Sequence, residues 1–230
     1  PSGSQQVFVV PAHGGTPRQM TSGDFPISSA VTWSPDSQSV IFSSNRRDDA
    51  EYHPRQSDLF GAALLTGQIT QITDTAGSEG RPVISPNGRY LAYTQTADIR
   101  QGYNGAKLTI RDLRTSESRS LTTDFDRSVS DIQWSQDSKS LWISYTDLGM
   151  VRVAKIDLRG KLRQSDIVVG GTAIGRPYTS GSFSVGGKGR LAYTLGRDDR
   201  PADVALLRPG KTPLKLTDLN GDLMGQRQMT

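Results

Sequence analysis

One strand-turn-strand phrase occurs four times in this chain, and no other feature limits its fold as tightly. The first copy is Val31-Thr32-Trp33-Ser34-Pro35-Asp36-Ser37-Gln38-Ser39-Val40-Ile41-Phe42-Ser43-Ser44. Pro35 sets φ for a tight turn and Asp36 can hydrogen-bond its own backbone there, while the arms carry β-branched and aromatic residues suited to strands. The second copy runs from Arg81 to Thr94 and the third from Ile132 to Ser144. The fourth runs from Phe183 to Thr194 and reads as one residue longer in the turn. The turn-opening serines are Ser34, Ser85, Ser135 and Ser184, giving steps of 51, 50 and 49 residues. A period of about 40–50 residues built from short strands predicts a β-propeller, one blade per repeat.

Each copy is followed by two further strand-like runs, so each repeat holds four strands, A to D. The expected fold is all-β: four complete four-stranded antiparallel blades near 28–73, 81–122, 130–169 and 179–217, as part of a larger propeller. The run 5–21 supplies the C and D strands of a further half blade. Residues 1–217 are then the propeller and 218–230 an exit linker. Consecutive residues of each B strand are apolar, as in Val40-Ile41-Phe42 and Leu141-Trp142-Ile143, so both faces of the sheet are expected to be buried. Trp33 and Trp134 are expected to fill the gaps between neighbouring blades. The A–B and C–D turns are short. The B–C and D–A connections are longer, at 45–57, 95–106, 74–80, 123–130 and 170–178, and they share one face of an up-and-down blade. Function concentrates on long loops held by a rigid scaffold, so that face is the expected functional one.

Composition excludes several function classes. The 27 basic and 23 acidic residues are mixed along the chain rather than gathered into a basic patch, so no nucleic-acid partner is expected. Cysteine is absent, which rules out disulfides and thiolate zinc sites. No run of 18 apolar residues occurs, so no membrane-spanning helix is expected. The chain starts at Pro1 rather than Met, which reads as a segment processed or cut from something longer. Its residues leave the compartment open, with a periplasmic or secreted location preferred to the cytoplasm.

Catalytic patterns are missing. Serine hydrolysis needs a nucleophile, a histidine base and an acid that orients it. The sequence Gly-x-Ser-x-Gly does not occur; Gly181-Ser182-Phe183-Ser184-Val185-Gly186 is nearest and its spacing is wrong. The histidines are His13 and His53, both early and expected on opposite faces, too few for a metal site of the usual kind. The run Asp124 to Asp131 lacks the glycine and the late glutamate of a calcium loop. No catalytic residue, metal or cofactor is therefore expected. Arg46-Arg47-Asp48-Asp49-Ala50-Glu51-Tyr52 is the most charged loop and reads either as solvated ion pairs or as the wall of a cleft. Arg81 and Arg176 open A strands, where they can hold a substrate carbonyl or pair with Glu79 or Asp131.

The four phrases resemble the Trp-Ser-Pro-Asp-Gly repeats of TolB-like propellers. Further segments make the whole chain similar to the propeller of the prolyl oligopeptidase family of serine peptidases, in its acylaminoacyl-peptidase and dipeptidyl-peptidase branch. They are Ser43-Ser44-Asn45-Arg46, Phe125-Asp126-Arg127-Ser128-Val129, Gly175-Arg176-Pro177-Tyr178, Arg200-Pro201-Ala202-Asp203-Val204 and Leu216-Thr217-Asp218-Leu219-Asn220. The resemblance implies a non-catalytic propeller that gates an α/β-hydrolase domain of the same polypeptide, contributes to its cleft and meets a peptide substrate. It points to Glu51, Tyr52, Arg127, Arg176 and Tyr178 as substrate-facing residues. No paired-glutamate motif supports dipeptidyl specificity. Two departures stand out: the hydrolase domain is not in this sequence, and family propellers usually have seven or eight blades. The alternative is a stand-alone TolB-like propeller that serves as a protein- or ligand-binding platform.

Overall fold

The repeated turn is held by its own side chains. Ser34 Oγ donates to Asp36 Oδ1 at 2.6 Å, Asp36 Oδ1 accepts from the Gln38 amide at 3.0 Å, and the Ser39 amide donates to Ser34 Oγ at 2.9 Å. Ser85, Asn87, Arg89 and Tyr90 repeat this arrangement. In the third copy the Lys139 amide donates to Asp137 and Ser135 shares a hydrogen bond with Ser140. Ser37, Gly88 and Ser138 close these turns in the left-handed region, at φ 58, 70 and 58°. The Ser-x-Asp pattern recurs because the turn satisfies its own backbone donors.

The computed structural model describes residues 3–28, 30–98, 104–171, 180–197, 200–219 and 221–224. The chain divides into two units, Pro1–Asp124 and Phe125–Thr230.

In the first unit, β1 (Phe8–Val9) pairs with β2 (Arg18–Gln19) as a two-stranded sheet. The first blade is β3 (Thr32–Trp33), β4 (Ser39–Ser44), β5 (Asp58–Ala63) and β6 (Ile69–Gln71); the second is β7 (Gly77–Ile84), β8 (Tyr90–Ala97), β9 (Lys107–Asp112) and β10 (Ser118–Ser120). In the second unit the third blade is β11 (Val129–Trp134), β12 (Ser140–Asp147), β13 (Met150–Asp157) and β14 (Leu162–Val169). The fourth is β15 (Phe183–Val185), β16 (Leu191–Arg197), β17 (Arg200–Leu207) and β18 (Leu214–Lys215), followed by the single turn α1 (Gly221–Met224). All pairings are antiparallel between consecutive strands, so the described residues form four blades of order A-B-C-D.

The apolar runs of the B strands are buried on both faces, as the adjacent Ile41 and Phe42, or Trp142 and Ile143, illustrate. In the first unit Val7 and Met20 of the half blade pack against Ile27, Val40, Phe42 and Phe60. In the second, Trp142, Val153, Ile167 and Val169 pack against Phe183, Leu191 and Tyr193. Polar seams accompany these cores. Ser57 forms a parallel bridge to Ser78, and the hydroxyls of Ser43 and Ser57 both donate to the Glu79 carbonyl. Gln133 spans the other pair of blades, donating to Phe183 O at 2.6 Å and accepting from the Val185 amide at 3.0 Å.

A further device recurs at the outer edge. The amides of Val7, Leu59, Leu108 and Val204 each donate to a threonine hydroxyl, those of Thr21, Thr73, Thr122 and Thr217, at 2.8–2.9 Å. Each threonine follows a short D strand and takes over where the ladder ends.

The structure corrects several expectations. Ser184 does not open the fourth turn; it lies in β15 opposite Ala192, and Gly186 opens the turn by donating to Arg190 O at 2.9 Å. The corresponding bond in the first blade runs from Ser34 to Ser39. From Ser135 to Gly186 the step is 186 − 135 = 51 residues, and the turn is one residue shorter than the others, not longer. This register sets buried Phe183 opposite buried Tyr193, and partly buried Val185 opposite buried Leu191. Trp134 is buried as expected at 7%, but Trp33 is 46% exposed, because it ends a two-residue strand beside the equally open Val31. The A strand β7 starts earlier than expected, at Gly77, which shortens the D–A connection before it. In the third blade the B–C connection is a tight hairpin through Leu148 and Gly149.

Candidate functional site

In each blade the B–C and D–A connections leave from the same end of the sheet. In the first unit this end carries the loop between β4 and β5. Successive turn bonds brace it, from Ala50 to Arg47, Tyr52 to Asp49, His53 to Ala50 and Gln56 to His53. Asn45 ties the loop across to His53 O at 2.8 Å. Arg47 pairs with Asp49 at 3.0 Å, and His53 Nε2 lies 3.3 Å from the same carboxylate. The arginine beside it holds the Asp49 carboxyl below its ordinary range. The solvated ion pairs are thus present, and they leave Glu51 and Tyr52 exposed at the tip, Tyr52 at 77%. Tyr52, His53 and Pro54 line an open cleft of about 340 Å³ with Arg55, Gln56 and Asp98. Behind the loop the Arg46 guanidinium stacks 4.5 Å from the Phe25 ring centroid, a cation–π contact that anchors the loop base.

In the second unit the same end carries Arg127. Its Nε donates to Asp147 Oδ1 at 3.0 Å and its Nη1 lies 3.2 Å from Asp126 Oδ2. Arg152 approaches the other Asp147 oxygen at 3.4 Å, so two guanidiniums share one carboxylate at the foot of the β12–β13 hairpin. Phe125 meets Tyr145 edge-on at 4.9 Å. The structure therefore brings Glu51 and Tyr52 together on one loop and sets Arg127 in an ion-pair cluster. Arg176 and Tyr178 lie outside the described residues.

Two buried ionisable groups, named from the sequence only as an ion-pair partner and within a resemblance segment, lie elsewhere. Glu79 is 1% exposed; Thr75 Oγ1 donates to its Oε1 at 2.6 Å, while its Oε2 has no hydrogen-bond partner. Burial pushes this carboxyl above its usual value. Arg81, which the sequence left either to hold a substrate group or to pair with an acid such as Glu79, lies at the bulge of β7 with φ 52° and is exposed. At the outer edge of the fourth blade, buried Asp203 accepts from Lys215 Nζ at 2.8 Å, from the Thr217 hydroxyl at 2.9 Å and from the Leu219 amide at 3.0 Å. These bonds, Lys215 first, hold its pKa down at about 2. The sequence signal for this clamp lay in the two segments quoted for the resemblance between Arg200 and Asn220, read as identity rather than as contacts. His13 is exposed, and His53 faces Asp49. No three His, Asp or Glu side chains converge as a metal site among the described residues.

Comparison with known proteins agrees with this architecture. Residues 1–98 match the family model described as the dipeptidyl peptidase IV (DPP IV) N-terminal region. Dipeptidyl-peptidase 5 of Porphyromonas gingivalis is 29% identical over 138 residues, which is 58% of this chain and 20% of that relative. The match thus spans about a fifth of the relative's length. A puromycin-hydrolyzing peptidase of Mycobacterium tuberculosis superposes with a TM-score of 0.69 at 15% identity, over 94% of this chain and 34% of that one. TolB from Acinetobacter baumannii gives 0.64 at 19% identity, over 92% and 48%. The four-stranded antiparallel repeats and these likenesses together show a β-propeller fold, similar to that of TolB and of the peptidase propellers.

Proposed function

We propose that this propeller is the non-catalytic part of a serine peptidase, where it gates access to an α/β-hydrolase domain of the same polypeptide and lines part of the peptide cleft. The match of residues 1–98 to the dipeptidyl peptidase IV N-terminal region carries this reading. The substrate-facing residues are Glu51 and Tyr52 on the braced loop of the first unit and Arg127 in the second; Arg176 and Tyr178 join them on the resemblance alone. Glu51 is suited to a peptide ammonium group. Arg127 is suited to a carbonyl or carboxylate through charge-assisted hydrogen bonds. TolB-like binding without catalysis is the second reading, supported by the likeness to TolB over 92% of the chain.

The test reads the gene and then the protein. Under the peptidase reading, the codons after Thr230 encode about 250 further residues with a Gly-x-Ser-x-Gly elbow. The long form then reacts with a fluorophosphonate probe at that serine, and the 230-residue chain does not. An unrelated downstream sequence, or labelling of the short chain at a defined serine, would overturn it.

A further inference from the structure

The end of the third blade holds a cation that its neighbours position without using up. Arg152 and Tyr145 are cross-strand partners in β13 and β12, so their side chains share one face of the sheet. Arg152 presents its Nε to Asp147, and that nitrogen is covered yet lacks hydrogen-bond geometry at 3.4 Å. No other hydrogen bond or ion pair meets Arg152 among the described residues, and its side chain is 30% exposed. Asp147 also receives Arg127, so its charge is divided between two guanidiniums. Beneath them Tyr145 is 1% exposed, and its hydroxyl has no partner. The phenol sits in the field of Asp147, Arg152 and Arg127, and its ring is fixed edge-on against Phe125.

A buried hydroxyl without a partner is an unfavourable arrangement, which a bound acceptor relieves. A guanidinium steadied from behind by a carboxylate, with its outer edge open, is preorganised for planar recognition of an anion. A simple structural ion pair accounts for Arg152 facing Asp147. It does not account for the second guanidinium on the same carboxylate, nor for the unpartnered phenol.

We propose that Arg152 and Tyr145, at the end of the third blade bearing the B–C and D–A connections, form a subsite for a peptide carboxylate. The carboxylate accepts from the outer amino groups of Arg152 and from the Tyr145 hydroxyl, with Arg127 adding positive field. Naming a peptide as its source rests on the peptidase reading above; the anion subsite itself does not. The carboxylate comes either from a peptide C-terminus or from an acidic side chain, and the chemistry is the same.

The experiment is a titration of the 230-residue chain, followed by the arginine Nε–Hε and backbone NMR signals. Three probes are compared: an N-acetylated dialanine acid, its C-terminal amide, and an N-acetylated glutamyl-alanine amide. At least one carboxylate probe is expected to move the Arg152 signal saturably, the tighter one identifying the source, while the dialanine amide leaves it in place. Arg152→Gln should weaken binding by about tenfold or more, and Tyr145→Phe by about two- to tenfold. Tyr145→Phe keeps the ring against Phe125 and removes the unpartnered hydroxyl, so it should also raise the unliganded chain's melting temperature. It isolates the site if Arg152→Gln fails to fold. Equal shifts with acid and amide, no saturable shift at all, or unchanged affinity in a folded Tyr145→Phe chain would overturn the proposal. A missing hydrolase domain would sink the peptidase reading and leave this binding result standing.

Discussion

Replacing Glu79 by glutamine should stabilise the first unit at neutral pH. Glu79 is 1% exposed, one oxygen accepts from Thr75, and the other lacks a hydrogen bond although the Thr73 hydroxyl lies near enough to ease the charge. Desolvation is the main cause of its raised pKa, and the like charge of Asp58 adds to it. Because the folded pKa is raised above the ordinary 4.5, the folded state holds the proton more tightly than the unfolded chain. Glu79 therefore favours folding most when both states are protonated, below about pH 4.5, and that contribution is lost as pH rises through the folded value. A buried polar atom left without a partner costs about 1–3 kcal/mol, and a charged one more. The amide keeps the acceptor for Thr75 and removes the charge, so Glu79→Gln should gain about 1–2 kcal/mol at pH 8. Urea unfolding of both proteins at pH 4 and pH 8 measures this. The gain should be largest at pH 8 and shrink towards pH 4, with the variant flatter across the range. A variant equally or less stable at pH 8, or a gain independent of pH, would show that the carboxylate is paired in solution and refute the reasoning.

Two further outcomes test the outer edges of the first and fourth blades. Thr73→Ala should cost about 1–3 kcal/mol in urea unfolding, since the buried Leu59 amide loses its acceptor, whereas Thr73→Ser should recover most of it. Asp203 has a folded pKa of about 2 against an ordinary 3.8, so its contribution is complete above pH 4 and is lost as pH falls through that interval. Asp203→Asn should accordingly speed limited proteolysis near Leu219 at neutral pH, and lowering the pH of the unmodified chain towards 2 should do the same; equal cleavage in all cases would refute the clamp.

The fold was legible because its turns are local chemistry: Ser34, Asp36 and Ser39 close a turn from within six residues, and the pattern survives in sequence. The fourth copy misled for the same reason. Without serine and aspartate the turn had no local signature, and its register was decided by Tyr193 and Leu191 pairing across the sheet. The loop carrying Glu51 and Tyr52 was legible as a charged insertion between strands. Glu79, the Asp147 pair and the Asp203 clamp were not, because each depends on residues separated along the chain, such as Arg127 and Asp147, whose meeting is a property of pairing rather than composition.

The threonine that finishes each short outer strand also limits what the blade can do to its neighbours in solution. With the hydroxyl of Thr21, Thr73, Thr122 or Thr217 taking the next backbone donor, β2, β6, β10 and β18 need only two or three ladder residues. So short an outer strand offers a second molecule little template for strand addition. Among the described residues no such threonine follows the outer strand of the third blade, β14, which runs for eight residues. That strand instead displays Arg163, Gln164 and Asp166 to solvent. Charge there does the work that brevity does elsewhere, keeping a long open edge from recruiting other chains into a continuous sheet.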